Sequence, residues 1–247
     1  MGRLDGKTAV VTGGNTGIGR EVCLAFAAEG ADVAVNYIAR EPDARSLVEA
    51  IQGKGRRALA VKADVTREDD VRVMVDRVLQ AFGRIDVLVN NAGIQKAQAI
   101  TEMSVEDWDR MMAVHLRGTF LCCRAVVPHM QARGTGRIIN MCSQLAYTGR
   151  ARYTAYSAAK GGIVTFTRSL AQELAPAIQV NAVAPGLVDT GFDPLPEERK
   201  REIAAALPLK RLGRPNDVAP VFVFLASDEA RYFCGQTLGP NGGEVMP

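Results

Sequence analysis

The first thirty residues of the chain place a glycine-rich turn between a short apolar strand and a helix. Residues 7–12 (KTAVVT) are rich in β-branched side chains, which predicts a buried strand. The turn GGNTGIG follows at 13–19, and a helical pattern covers residues 20–28. In such a unit the glycines let the backbone approach a phosphate, and the helix N-terminus supplies free N–H groups. The unit therefore predicts a phosphate-binding turn, with a merely tight turn as the alternative.

The alternation of strand and helix continues along the rest of the chain. Further strands are predicted at 32–37, 58–62, 85–90, 137–142, 178–183 and near 236–238, and helices at 43–53, 67–81, 105–131, 154–174 and 216–226. Strands that alternate with helices indicate a parallel sheet with helices on both faces. We therefore expect an α/β fold, a doubly wound parallel sheet formed by one domain over residues 1–247.

Composition excludes several classes of function. The net charge of +3 is small and the basic residues are scattered, which argues against nucleic-acid binding. The five cysteines have no metal-type spacing, so we expect no metal site and reduced thiols in the cytoplasm. No apolar run reaches the roughly 18 residues that a membrane span needs. The N-terminus does not have the pattern of a secretion signal. A cytoplasmic protein with a continuous apolar core is the expectation.

The end of the second predicted strand bears on the choice of a dinucleotide. In this topology Asn36 and Tyr37 would meet the adenosine ribose. Neither side chain is acidic, so nothing there repels a 2′-phosphate, and Arg40 could pair with one. This pattern favours NADP, with NAD as the alternative. Arg40 as a solvated loop charge is the other interpretation.

Two later strand ends carry further candidates for cofactor contact. Asp64, next to Val65, is placed to accept a hydrogen bond from the adenine amine, and a helix cap or turn aspartate is the alternative. Residues 90–93 (NNAG) follow the fourth strand. The asparagines there can bond neighbouring strand ends, and Gly93 permits close approach of backbone to a ligand.

Three residues near the middle of the chain form a candidate acid/base group. Tyr156 and Lys160 lie four residues apart at the start of a helical pattern, so they share one helix face. The unperturbed pKa of tyrosine is about 10, and a neighbouring ammonium is expected to lower the pKa of Tyr156. Ser143 ends an apolar strand, where its hydroxyl could hold a substrate oxygen. An aromatic stem beside a solvated lysine is the alternative interpretation of the pair.

The motifs TGGNTGIG (12–19), NNAG (90–93), Ser143, YSAAK (156–160) and NAVAPG (181–186) occur in this order over nearly the whole chain. Together they resemble the short-chain dehydrogenase/reductase family. The resemblance implies a Rossmann-type fold of about seven strands in the order 3-2-1-4-5-6-7, a nicotinamide cofactor and a homo-tetramer. It implies hydride transfer between the nicotinamide and the carbon of a small-molecule carbonyl or secondary alcohol.

Within the family, the general likeness is to 3-oxoacyl-carrier-protein reductases and glucose 1-dehydrogenases. A 3-oxoacyl group and a sugar or polyol are therefore both open as substrates. Arg133 and Arg168 are candidates for contact with an acidic carrier protein. The end of the catalytic helix has no arginine where the carrier-protein reductases often have one, which weakens that assignment.

The resemblance also implies contacts late in the chain. Pro185, Gly186 and Val188 are expected to close over the nicotinamide, Thr190 to reach the phosphates, and residues from about 190 to 212 to form a substrate lid. The predicted cofactor-binding residues are Gly13, Asn15, Thr16, Gly17, Ile18, Gly19, Asn36, Tyr37, Arg40, Asp64, Val65, Asn91, Ala92, Gly93, Tyr156, Lys160, Pro185, Gly186, Val188 and Thr190.

His115 departs from the family pattern, which has an asparagine in the matching segment. Three interpretations stay open: a neutral histidine that holds the same relay water, a histidine that charges below its usual pKa of about 6.5 and repels Lys160, and an ordinary helix-face residue. We count His115 with Ser143, Tyr156 and Lys160 as candidate catalytic residues. A non-catalytic dinucleotide-binding regulator is the alternative function that His115 favours.

Overall fold

The computed structural model describes residues 2–191 and 195–246. Its strands are β1 (Thr8–Val11), β2 (Asp32–Tyr37), β3 (Ala58–Lys62), β4 (Val87–Asn90), β5 (Gly136–Met141), β6 (Ile178–Val183) and β7 (Thr237–Leu238). Its α-helices are α1 (Gly17–Ala28), α2 (Glu41–Gln52), α3 (Glu68–Phe82), α4 (Val105–Met112), α5 (Gly118–Arg133), α6 (Leu145–Thr148), α7 (Thr154–Leu174), α8 (Glu197–Ala206) and α9 (Pro215–Ala226).

The strands of the described ranges form one parallel sheet in the order β3-β2-β1-β4-β5-β6-β7. This order confirms the predicted fold. The chain turns outward in opposite directions from the adjacent strands β1 and β4, which makes their carboxyl ends a topological switch point. In doubly wound sheets a crevice opens at that point and holds the ligand.

Side-chain alternation along the strands divides the core into two layers. Val11 of β1, Val33 of β2 and Val89 of β4 pack with α1 and α9 on one face. The neighbouring positions, such as Val10 and Leu88, pack with α3 and α5 on the other. Both faces are therefore apolar, as expected for a parallel sheet between helical layers.

A π-helical turn interrupts the long helix that was predicted at 105–131. The turn covers Ala113–Arg117 and separates α4 from α5. Within it the carbonyl of His115 accepts a hydrogen bond from Thr119 Oγ1 at 2.7 Å. The prediction of one continuous helix is wrong here, because helical periodicity does not reveal a single wide turn. The His115 ring is buried at this turn, with 2% of its surface exposed.

The predicted lid at about 190–212 includes residues 192–194, which lie outside the described residues. The remainder contains α8, where Lys200 Nζ pairs with Asp189 at 3.1 Å. Near the end of the predicted lid, the N–H of Leu209 donates to the carbonyl of Gly242 at 3.2 Å. The C-terminal turn therefore packs against the end of the predicted lid. Within the described ranges, we find no helix with the length and apolarity to cross a membrane.

Candidate active site

A cavity of about 760 Å³ lies at the carboxyl ends of the central strands. Its lining contains each predicted site residue except Tyr37. Because side chains alternate along β2, Tyr37 faces away from Asn36, and its phenol hydrogen-bonds Glu41 instead. The structure therefore does not bring Tyr37 to the cavity, which corrects its place among the predicted cofactor-binding residues.

The glycine-rich turn forms one end of the cavity. Gly13 and Gly17 have φ values of +58° and +53°, which glycine adopts without strain. A Cβ added at Gly19 would lie 2.4 Å from the carbonyl oxygen of Gly13, so the turn closes only without a side chain there. α1 begins with no acidic residue in its first turn and no side-chain cap from Thr16. Its first N–H groups thus stay available to an anion, which fits a pyrophosphate.

Three asparagine side chains brace this turn. Asn15 Nδ2 donates to the carbonyl of Ala39 at 2.9 Å, and Asn36 Oδ1 accepts from the N–H of Gly13 at 3.1 Å. Asn91 Nδ2 donates to the carbonyl of Gly13 at 2.9 Å. These polar atoms are used within the protein. The asparagines therefore shape the cofactor end of the cavity more than they offer free groups to a ligand.

The two predicted adenosine contacts differ in how their polar atoms are used. Arg40 has φ +58°, is 70% exposed at the side chain and pairs with Asp43 at 2.6 Å. Asp64 Oδ1 accepts hydrogen bonds from the N–H and the hydroxyl of Thr66, at 2.9 and 2.8 Å. Asp64 Oδ1 therefore stabilises the local turn, as the alternative interpretation of a turn aspartate expects. Its contact with an adenine amine stays a prediction.

The strand β5 and the first turns of α7 bring Ser143, Tyr156 and Lys160 together at the other end of the cavity. The Ser143 hydroxyl hydrogen-bonds the Tyr156 phenol. Lys160 is buried, and its Nζ lies 5.6 Å from the centroid of the Tyr156 ring. It donates to the carbonyl of Met141 at 2.7 Å. The predicted side-by-side placement on one helix face is what the structure has.

The pKa values of this group are not those expected from the sequence. Burial raises the pKa of Tyr156 to about 12. Burial also lowers the pKa of Lys160 to about 8. The expectation of a lowered pKa for Tyr156 is wrong for the free protein, because desolvation of the phenolate raises the pKa by more than the hydrogen bond with Ser143 lowers it. Tyr156 therefore keeps its proton near neutral pH, as a proton donor must.

His115 lies against the same tyrosine. Its ring meets the Tyr156 ring edge-on, with centroids 5.2 Å apart, and its Nε2 is 2.7 Å from the carbonyl oxygen of Ile94. The N–H of Ile94 lies 3.3 Å from the same nitrogen. The carbonyl contact is the shorter and a carbonyl only accepts, so we assign the proton to Nε2, which leaves Nδ1 as an acceptor. Nδ1 is buried and has no partner in the described ranges. Burial, and then Lys160, lower the pKa of His115 to about 3, which contradicts the interpretation of a charged histidine.

Sequence reasoning missed a contact beside the candidate serine. Gln144 Nε2 donates to Glu244 Oε2 at 2.5 Å, across 100 residues of chain. No local pattern links the two residues.

Arg133, a candidate for carrier contact, pairs with the buried Asp86 at 2.8 Å and so has a structural role. Over the described ranges, no cluster of three or more His, Cys, Asp or Glu side chains could hold a metal ion.

A family model described as Enoyl-(Acyl carrier protein) reductase matches residues 13–244. The chain belongs to the short-chain dehydrogenase/reductase family. The 3-oxoacyl-[acyl-carrier-protein] reductase FabG of Staphylococcus epidermidis is 41% identical over 242 residues, which cover 97% of this chain and 99% of that protein. Membership in the short-chain dehydrogenase/reductase family confirms the prediction of an NAD(P)-dependent oxidoreductase.

Two other proteins are similar over nearly their full length. The (2S)-[(R)-hydroxy(phenyl)methyl]succinyl-CoA dehydrogenase subunit BbsD of Thauera aromatica is 43% identical over 245 residues, 98% of each chain. The solved structure of a blue fluorescent protein from a metagenomic library, in complex with NADPH, has a TM-score of 0.92 and 39% identity. That match covers 99% of this chain and 100% of the other.

Proposed function

We propose that the protein reduces the 3-oxo group of an acyl thioester to a secondary alcohol with NADPH. The observation that carries the proposal is the juxtaposition of Ser143, Tyr156 and Lys160 with a glycine-rich phosphate turn around one cavity. The names of two relatives support the substrate class, because one names a 3-oxoacyl carrier protein and the other a hydroxylated acyl-CoA. In both compounds the oxygen that reacts is near a thioester.

In the proposed reaction the side chains of this chain handle the proton. Tyr156, protonated near neutral pH, gives its phenolic proton to the carbonyl oxygen while Ser143 hydrogen-bonds the same oxygen. When bound, the reduced nicotinamide supplies the hydride that adds to the carbonyl carbon. Lys160, anchored on the carbonyl of Met141, is placed to bond the ribose and to stabilise negative charge on the phenol. The products are an alcohol and the oxidised dinucleotide.

The preference for NADP is supported by the ribose end of the cavity. Arg40 lines it, and Asn36 occupies the strand end where an acidic side chain would select NAD. The metagenomic relative with NADPH bound is similar over this whole region. NAD remains the alternative, because Arg40 is also paired with Asp43.

Charged and apolar residues at the cavity favour a thioester over a sugar. Arg110 and Arg150 belong to the lining, and guanidinium groups suit the phosphates of a coenzyme A or carrier arm. Leu145, Leu187 and Val188 also line it. A sugar or polyol would require polar groups in their place. The thioester is therefore the first choice and the polyol the second.

The test measures NADPH consumption by the purified protein with acetoacetyl-coenzyme A and with an acetoacetyl carrier protein. NADP-dependent oxidation of glucose and simple polyols is assayed in parallel. Turnover of either thioester with little activity on the polyols is the expected result. A protein that binds NADPH but consumes none with any ketone, sugar or thioester would instead be the non-catalytic regulator.

The proposal extends to the oligomeric state of the protein and to the organisation of its chain. We propose a homo-tetramer in the cytoplasm, and a single domain over residues 1–247 whose segment at about 190–212 covers the substrate. Phe120 on α5 and Trp108 on α4 are 44% and 37% exposed, which supports packing against other subunits. Light scattering on the eluted protein should give four times the chain mass, and the mass of one chain would refute the tetramer.

A further inference from the structure

Gln144, next to the candidate serine, is a cavity-lining residue with one polar atom that has no partner among residues 2–191 and 195–246. Its side chain is buried, with 6% of its surface exposed. Nε2 donates to Glu244, but Oε1 is buried and accepts no hydrogen bond from the described part of the chain. Buried acceptors are nearly always paired in folded proteins. Because this acceptor belongs to a residue that lines the cavity, a group from outside the chain is a candidate for its missing donor.

Glu244 determines which way the Gln144 amide faces. A carboxylate only accepts hydrogen bonds, so the amide must turn its NH₂ group toward Glu244. The backbone N–H of Gln144 also donates to the carbonyl of Pro185 at 3.1 Å, which fixes the residue against the loop after β6. Oε1 is thereby held as an acceptor.

The C-terminal turn that carries Glu244 packs closely against the cavity wall. A Cβ added at Gly186 would lie 2.9 Å from Asn241 Cα, so the two segments touch through their backbones. Asn241 Nδ2 donates to the carbonyl of Val245 at 2.8 Å, which closes the turn around Glu244. Glu244 itself is not part of the cavity lining. Its effect on a bound molecule therefore acts through Gln144.

We propose that Gln144 determines specificity by accepting a hydrogen bond from an N–H group on the thioester arm of the substrate. The inference rests on the proposed function. Ser143 binds the reacting oxygen, so the adjacent Gln144 faces a part of the substrate near that carbonyl. The arms of coenzyme A and of acyl carrier protein share an amide N–H two carbons from the sulfur. Glu244 stabilises the acceptor orientation, so a substrate group with only acceptor atoms at the same place is disfavoured.

A pair of substrates that differ at one atom tests this hydrogen bond. The S-(2-acetamidoethyl) thioester of 3-oxobutanoic acid carries the N–H, and the S-(2-acetoxyethyl) thioester has an ester oxygen there. In the native protein we expect kcat/KM to favour the amide by about tenfold, mostly through KM, as the loss of one hydrogen bond at a buried acceptor implies. Gln144→Met keeps the length of the side chain but has no amide, so its ratio should fall to about one.

Two further variants separate specificity from a structural effect. Glu244→Gln lets the Gln144 amide turn either way, so its ratio should fall between those of the native protein and Gln144→Met. Glu49→Gln removes a charge from an exposed position on α2 and should keep the native ratio. A native ratio near one, or a tenfold ratio that persists in Gln144→Met, would overturn the inference alone. A native protein that reduces neither thioester would overturn the proposed function as well.

Discussion

The two ends of the cavity differ in whether their buried polar side-chain atoms have hydrogen-bond partners within the protein. At the cofactor end, the side chains of Asn15, Asn36 and Asn91 form hydrogen bonds with nearby backbone groups. At the catalytic end, His115 Nδ1 and Gln144 Oε1 are buried without partners in the described ranges. The same end holds the shifted pKa values of Tyr156 and Lys160. We therefore expect a substrate to complete the interactions of the groups at the catalytic end.

This difference indicates how the two ends tolerate change. The glycine-rich turn at 13–19, braced by the three asparagines, would bind a phosphate through its backbone. Which substitutions it tolerates therefore depends on the space around it and on the conformation of its glycines. The catalytic end works through protonation states and unpaired acceptors, so its tolerance depends on single atoms. Substitutions at the first end should affect binding and folding together. Substitutions at the second should change the rate or the selectivity with little effect on cofactor binding.

Removing the phenolic hydroxyl of Tyr156 is expected to have the largest effect. Tyr156→Phe keeps the ring against His115 but has no proton to donate, so kcat should fall by about 10²–10⁴-fold. NADPH affinity, measured by fluorescence titration, should stay within about twofold because the glycine-rich turn is intact. Tyr232→Phe is the matched control, since Tyr232 is 98% exposed. Near-native turnover in Tyr156→Phe would refute its role as proton donor.

Adding one methyl group to the braced turn should affect both binding and folding. Gly19→Ala places a Cβ 2.5 Å from Asn91 Nδ2 as well as near the Gly13 carbonyl, so the turn must open. We expect a loss of about 1–3 kcal/mol in the free energy of unfolding and at least a roughly tenfold rise in the Kd for NADPH. Urea denaturation and titration measure the two.

Gly53→Ala is the control for the added methyl group. Gly53 follows α2 at φ −60°, and an added Cβ would lie 3.4 Å from the nearest atom. This variant should bind NADPH and unfold as the parent does. If Gly19→Ala behaves like Gly53→Ala, the cofactor end does not depend on the tight packing of its turn.

Replacing His115 with asparagine should change how stability depends on pH. The pKa of His115 is about 3 in the folded protein and about 6.5 when unperturbed, so the unfolded chain binds the proton more tightly. Stability is therefore lost as pH falls from about 6.5 toward 3, by at most about 1.4 kcal/mol per pH unit. His115→Asn should lack this part of the slope in urea denaturation series. His129→Asn, at an exposed position, should follow the parent.

The same variant also tests the interpretation of His115 as a neutral substitute for asparagine. Since the histidine is uncharged near neutral pH, His115→Asn is expected to be at least as active as the parent. A collapse of its turnover, with NADPH affinity unchanged, would show that the histidine has a role of its own.

The two ends of the cavity also differ in how far the sequence predicts them. The alternation of strands and helices, the phosphate turn and the placement of Tyr156 beside Lys160 follow from local patterns, because periodicity and residue spacing are local properties. The strand order, by contrast, was implied by the family resemblance. The pKa of Tyr156 was expected in the wrong direction, since burial depends on the whole fold. The bond from Gln144 to Glu244 joins residues 100 positions apart, and no pattern within either segment predicts it.

The smallest expected effect concerns the ribose end, where Arg40 is exposed and already paired with Asp43. If Arg40 binds a 2′-phosphate, Arg40→Ala should raise the KM for NADPH by about tenfold and leave the KM for NADH within about twofold. Arg45→Ala is the matched control, because Arg45 pairs with Glu41 on the same helix and does not line the cavity. If Arg40→Ala changes the KM values for NADPH and NADH equally, Arg40 does not bind the 2′-phosphate and is a solvated surface charge. The choice of dinucleotide would then have to rest on the shape of the braced turn alone.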